Sequence, residues 1–316
     1  MTVRAFILTM IVLLLLAVAS GCARYLKRQS ETVDTRALEP FFSRLRGWWS
    51  LFTILTVSLL LEPFFGNIIT LVLFGAMSFW AMREFLTLTP TRPADHITMF
   101  IVLFICTPLQ YVLVGLNSYG TYSIMIPTYV FLLVPACITL SGDSTHFLER
   151  AAKIDMGMLI CIYSLSYAPA LLTLPIPENL NGSGIGLLIF FVVIAQLSDV
   201  LQYAMSQLPT RHLIAENINS SKTWEGVIGA SLTVTLIGAA LAWATPFTYL
   251  DAALLSLVIS LMSAAGAMTL SAVKRDRGVK DYGTLIEGHS GILDRIDSIC
   301  FAAPVFFHLS RFLLMQ

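Results

Sequence analysis

The 316 residues carry 57% apolar and only 12% charged side chains, with a mean hydropathy of +0.80. Soluble domains run near a quarter charged, so this chain cannot cover its own surface in water. The formal net charge is zero, which excludes a bulk field drawing it to nucleic acid.

A helix needs about 20 mostly apolar residues to cross hydrocarbon. That rule predicts an all-α, polytopic membrane helix bundle of about ten transmembrane helices, near 5–23, 48–65, 67–89, 95–116, 121–140, 156–174, 185–205, 226–244, 251–270 and 298–315. The first run ends in Leu16-Ala-Val-Ala-Ser-Gly-Cys22, a lipoprotein-like cleavage pattern. Only Arg4 precedes it and a polytopic chain follows, so it reads as a first membrane helix. The second run is short and stops at Glu62-Pro63. Cys106, Cys137, Cys161 and Cys300 lie in apolar runs without metal-ligand spacing and read as packing residues.

Orientation follows from Lys and Arg. With 24–47 placed in the cytoplasm, every one of the 19 Lys and Arg except Arg4 and Arg311 falls on that side. Both termini then lie outside, 179–183 forms an uncharged outer turn, and Asp155 belongs to a cytoplasmic loop with no assigned role. The chain divides into a first helix with a basic linker, 1–45, and a membrane domain, 46–316.

Polar chemistry gathers at the predicted cytoplasmic ends. Asp199 and Gln202 lie three apart on the seventh apolar run, either as a helix-to-helix polar contact or as part of a site. Asn219-Ser220-Ser221-Lys222-Thr223-Trp224-Glu225-Gly226 opens the eighth. Serines there either cap the helix or, with free N–H groups and Lys222, form an anion site. Ser271 to Asp297 interleaves acids, bases and glycines between two apolar runs. Carboxylates beside hydrocarbon are expensive, so Asp294 and Asp297 read as functional. The mixture suits phosphate chemistry: Mg²⁺ binds through one or two carboxylates plus substrate phosphates, cations neutralise the rest, and glycines admit a close polyphosphate. Neither GxxxxGK[ST] nor GxGxxG occurs.

The C-terminal run resembles the signature of the phosphatidate cytidylyltransferases, or CDP-diacylglycerol synthases. That signature is met by Ser271, Val273, Lys274, Arg275, Lys280, Asp281, Gly283, Ile286, His289, Gly291, Ile292, Asp294, Arg295, Ile296 and Asp297. Lys222-Thr223-Trp224-Glu225-Gly226 matches a second motif, Asp199 stands where the family has an upstream Asp, and Arg83-Glu84-Phe85 resembles a further family feature. The resemblance covers about 45–316. Four departures stand out: Glu287 in place of Pro, Ser290 in place of Gly, Asn219-Ser220 in place of Ser-Pro, and a Lys-poor stretch at 211–217.

The resemblance implies CTP and phosphatidate as substrates, CDP-diacylglycerol and pyrophosphate as products, and a bacterial inner (plasma) membrane enzyme with its site facing the cytoplasm. It implies Mg²⁺, with room for a second cation, on Asp281 and Asp294, with Asp199 and Asp297 as further ligands. Lys222, Lys274, Arg275 and Lys280 would hold phosphates, beside Ser221. Arg295 would join them or pair with an aspartate, and His289 would donate to phosphate or order its loop. The expected frame is the last four helices, with membrane lipid as surroundings, no nucleic-acid partner, and room for a homodimer. A CTP-dependent polyprenol or phytol kinase and a non-catalytic membrane paralogue are the rival readings.

Overall fold

In hydrocarbon a backbone must satisfy its own hydrogen bonds, and an apolar run therefore closes into a helix. The computed structural model describes residues 3–28, 47–49, 52–88, 92–177, 180, 182–207, 212–279, 281–283 and 291–315. Among the described residues, each of the ten expected apolar runs is mostly helical. They are α1 (Val3–Arg28), α2 (Gly47–Leu60), α3 (Ile68–Thr87), α4 (His96–Gly115), α5 (Tyr119–Leu140), α6 (Phe147–Thr173), α7 (Gly184–Met205), α8 (Trp224–Ala240), α9 (Tyr249–Asp276) and α10 (Leu293–Leu314). Seven of them, α3 to α7 with α9 and α10, are long and apolar enough to cross a membrane. At 17 residues, α8 is about 25 Å long. After α2 a single helical turn, Glu62–Phe65, leads into α3. Among the described residues the β pairing is one bridge, Leu213 with Thr223. Backbone at Cys22 is helical within α1.

The expected boundary at 156 is corrected: α6 begins at Phe147. Charges at 149–155 lower the local hydropathy, yet several are paired. Arg150 meets Asp95 and Lys153 meets Glu149. Asp155 is accordingly not a loop residue but a buried group of α6, with Oδ1 lacking a partner among the described residues.

The helices fall into two packing styles. α4, α5 and α6 each widen to a π turn, at Val102–Cys106, Met125–Val130 and Leu159–Ser164. Two of these turns adjoin or contain a proline, Pro108 and Pro127, whose missing N–H breaks the regular ladder. Thr107 Oγ1 donates to Val102 O at 2.9 Å and Ser164 Oγ to Leu159 O at 2.8 Å, refilling carbonyls there. By contrast α7, α8, α9 and α10 pack closely on one another through small polar side chains. Ser198 Oγ lies 2.7 Å from Ser260 Oγ, which lies 3.0 Å from Ser231 Oγ. Small residues let membrane helices approach closely where no hydrophobic force separates helix from lipid. Large apolar side chains on the outer faces, such as Phe104, Leu132 and Leu236, are exposed, as lipid-facing residues should be.

The two ends of the bundle differ. Residues expected at the cytoplasm meet at one end: Arg92 and Arg150 with Asp143, Arg277 with Glu149, and Trp49 Nε1 with Ser20 Oγ. Residues expected outside meet at the other. Arg4 Nη1 donates to Trp243 O at 3.1 Å, and the Arg311 guanidinium lies 3.5 Å from the Tyr119 ring centre.

Candidate active site

α9 leaves the bundle with Lys274 and Arg275 in its last turn and stops at Gly278, whose φ of +67° suits a residue without a Cβ. Gly278 N and Val279 N then take up the carbonyls of Arg275 and Lys274 at 3.0 Å each. The chain turns at Tyr282, which three interactions hold. Its N–H donates to Asp294 Oδ2 at 2.8 Å, its hydroxyl donates to Leu270 O at 2.9 Å, and its ring stacks on Phe85.

Asp294 organises this return. Oδ1 receives Lys274 Nζ at 2.7 Å, while Oδ2 accepts from Tyr282 N and from Gly291 N at 3.1 Å. A carboxylate has about four lone-pair sites, so Asp294 keeps about one for any further partner. Glu84, buried on α3, completes the arrangement. Its two oxygens accept from Ile292 N at 3.0 Å and Leu293 N at 2.9 Å, satisfying two of the donors that open α10. Gly283 and Gly291 serve this contact. A Cβ on Gly291 would sit 2.6 Å from Glu84 Oε2 and 2.7 Å from Gly283 N. The glycines expected to admit a polyphosphate thus admit Glu84 and each other.

The second half of the site lies on α7 and α8. Thr223 caps α8, its Oγ1 accepting from Gly226 N at 3.0 Å. Ser221, expected at that cap, instead donates to Asn219 Oδ1 at 2.7 Å, and Asn219 Nδ2 donates to Ser271 Oγ on α9 at 2.9 Å. The bridge from Leu213 to Thr223, with Trp224 N donating to His212 O at 2.9 Å, holds the preceding loop. Lys222 is thereby turned into the bundle. Its Nζ donates to Gln202 Oε1 at 2.5 Å and lies 3.5 Å from Asp199 Oδ1. Gln202 is fixed in turn, Nε2 donating to Ser198 Oγ at 2.8 Å. Asp297 lies within electrostatic range of Asp199, Lys222 and Lys274. Its Oδ1 accepts from Ser298 N at 2.7 Å.

The structure therefore brings together Asp199, Lys222, Lys274, Asp294 and Asp297 of the expected set. The helices α7 to α10 frame them as anticipated, and α3 joins through Glu84. Asp281 is exposed, without a partner among the described residues, and Arg275 Nε donates to Ile218 O at 3.2 Å. Arg295 pairs with no described aspartate and turns toward α2, where Gly47 packs on it. Lys280, His289, Glu287 and Ser290 lie outside the described residues, as does most of the basic linker. Gln202 and Tyr282 carry roles that residue type alone did not assign.

Three carboxylates face two ammonium groups here, with Asp297 four residues inside the start of α10 and Asp199 six inside the end of α7, or about 6–9 Å. An excess of acid beside apolar walls is costly unless a cation joins it. No three His, Cys, Asp or Glu among the described residues form a ready metal cage. Mg²⁺ needs none, since it takes one or two carboxylates and completes its shell with water and substrate phosphate. Asp199 and Asp297, with the spare site on Asp294, fit that requirement.

The fold is a polytopic membrane helix bundle with carboxylates and lysines gathered at one end. The chain belongs to the cytidylyltransferase family, whose sequence model matches residues 42–313, and is a nucleotidyltransferase. It is 34% identical to an uncharacterised protein of Escherichia coli (strain K12), YnbB, over 85% of this chain and 87% of that one. It is 40% identical to a phosphatidate cytidylyltransferase of Synechocystis over 44% of this chain and 47% of the relative. With the Mycobacterium bovis phosphatidate cytidylyltransferase the identity is 41% over 39% of each chain. The matches to these two named enzymes span less than half of either partner.

Proposed function

We propose that this protein transfers a cytidylyl group from CTP to phosphatidate, giving CDP-diacylglycerol and pyrophosphate, at the cytoplasmic face of a bacterial inner membrane. The observation that carries this reading is the convergence of Asp199, Lys222 and Asp297 beside the Lys274–Asp294 pair. The near-exclusive location of Lys and Arg on one side of the topology supports the face, and the partial matches to phosphatidate cytidylyltransferases support the substrates.

A phosphate monoester has its second pKa near 6 and is largely dianionic at pH 7, so a general base has little to do. One phosphate oxygen of the lipid attacks the α-phosphorus of CTP, the bond from that phosphorus to the α–β bridging oxygen breaks, and pyrophosphate leaves. Bringing two anions together is the difficulty, and it calls for positioning and charge neutralisation. Lys222, clamped by Gln202, and Lys274, clamped by Asp294, supply fixed positive charge. Lys280 and Arg275 extend it along the triphosphate, Ser221 lies beside them as a neutral hydroxyl, and His289 donates to phosphate. Asp199 and Asp297 would hold Mg²⁺, with Asp294 and Asp281 contributing, and the bound ion would supply positive charge to the phosphate oxygens.

The test is turnover of α-labelled CTP with phosphatidate by the purified protein in detergent, with Mg²⁺ or with EDTA. Label in the lipid product, pyrophosphate release and dependence on Mg²⁺ are expected. Release of CDP with a lipid alcohol as acceptor would mean a kinase, and no turnover with any lipid would leave a non-catalytic protein.

A further inference from the structure

A cavity of about 160 Å³ lies between α2, α3, α7 and α10, apart from the carboxylates. Among the described residues its walls are apolar, formed by side chains such as Leu55, Phe74, Val192 and Ile299, and Arg295 is the one charged residue that lines it. No described residue gives the guanidinium a hydrogen bond or an ion pair. A charge set against apolar walls without a counter-ion is costly. The orientation is also built in: a Cβ on Gly47 would collide with the Arg295 guanidinium, so a glycine opens α2 where the arm passes.

The dimensions specify an occupant. From Gly47 to Leu55 the α2 wall descends eight residues, about 12 Å, through most of one leaflet of a hydrocarbon core about 30 Å thick. A free nucleotide or inorganic phosphate would leave the apolar trough empty. A neutral lipid would leave Arg295 without a partner among the described residues. An anionic lipid satisfies both, with phosphate at the guanidinium and acyl chain below. Helical advance of about 100° per residue places Arg295 on a different flank of α10 from Asp297. The groove is then a seat beside the reacting groups and not among them.

We propose that this groove docks the lipid acceptor, with Arg295 taking its phosphate monoester and the α2–α3–α7–α10 trough taking an acyl chain. The proposal rests on a lipid phosphate being the acceptor, and it assigns Arg295 to lipid capture and not to the nucleotide. The test pairs Arg295→Gln with Ile54→Trp, which fills the trough from an exposed position on α2. Phosphatidate binding to purified protein is read by native mass spectrometry against diacylglycerol and phosphatidylcholine, alongside steady-state kinetics.

Each variant should weaken phosphatidate binding by about tenfold. Each should raise KM for phosphatidate by a similar factor, with KM for CTP and kcat at saturating lipid unchanged. Millimolar inorganic phosphate should not displace the lipid. Wild-type binding in both variants, or equal binding of phosphatidylcholine, would overturn the proposal. If wild-type protein turns over no CTP yet loses phosphatidate in both variants, the groove stands and the transfer reading falls.

Discussion

Two buried charge clusters sit at the same end of this bundle, and they are built to opposite rules. In the first, Arg150 is closed on every side. Its Nε donates to Asp95 Oδ1 and Oδ2 at 3.0 and 2.9 Å, and its Nη1 donates to the carbonyls of Asp143 and Thr145. Both side chains are nearly inaccessible, at 6% and 4%. In the second, Asp199 and Asp297 share Lys222 at longer range, and acid outnumbers base. The first cluster closes a seam between α4 and α6, with most of the Arg150 donors taken by protein oxygens. The second keeps oxygens without donors among the described residues where helix ends meet. Residue type does not separate structure from function here; residual bonding capacity does.

The sharpest way to break this comparison is to neutralise each cluster with minimal change of shape. Asp297→Asn and Asp199→Asn should each lower kcat on the order of 10²–10³-fold, the range for losing one preorganised electrostatic contact. The Tm in detergent should hold or rise, because like charges are relieved. A matching collapse of Tm would put these residues in the structural class. Asp143 serves as the neutral control, since Asp155 is buried in α6.

Arg150→Met should give the converse. Breaking a buried pair by removing one partner costs about 3–5 kcal/mol, and a site at the rim of the bundle belongs at about 3. The protein should lose thermal stability and yield, while kcat per folded molecule stays near the wild-type value. Loss of kcat at unchanged stability would erase the distinction.

Glu84 lies between the two classes, structural in its bonding and functional in what it holds. Hydrogen bonds to charged groups contribute about 1.5–3 kcal/mol each. Glu84→Gln keeps one good acceptor and should cost about 1–2 kcal/mol in stability on that scale. It should lower kcat by a larger factor than the stability change alone would, because Asp294 and Lys274 depend on the same loop. Equal effects on stability and kcat would make Glu84 a simple cap.

The residues differ in how readable they were. Apolar run length located all ten helices, because hydrocarbon forces each run to close its own bonds. Mixed charge between apolar runs pointed to Lys274, Asp294 and Asp297, an acid within an apolar run to Asp199, and a polar helix start to Lys222; the structure brings these five side chains together. Glu84 could be quoted but not explained, since its partners lie 208 and 209 residues away. The start of α6 was misplaced for the same reason: the charge that disguises it is cancelled by Asp95, 55 residues upstream. Arg295 was legible as a cation, while its direction depended on where Gly47 packs.

The smallest effect belongs to Asp143, at the exposed edge of the closed cluster. Hydrogen bonds from Thr145, then from the Arg92 guanidinium, hold its carboxyl well below the usual carboxylate range. A depressed folded pKa contributes stability that is fully present above the unfolded value, about 3.9, and is lost as pH falls through the folded value. Asp143→Asn should therefore leave kcat untouched and lower Tm only slightly, because exposed ion pairs are weak and screened by salt. The Tm difference between wild type and variant should stay constant from pH 8 to about 5, then shrink below about pH 4. High salt should shrink it too. A difference that grows on acidification has the wrong sign for an anionic Asp143. A large loss of kcat in Asp143→Asn would instead place the closed cluster in the machinery of transfer, and the contrast between the two would fail.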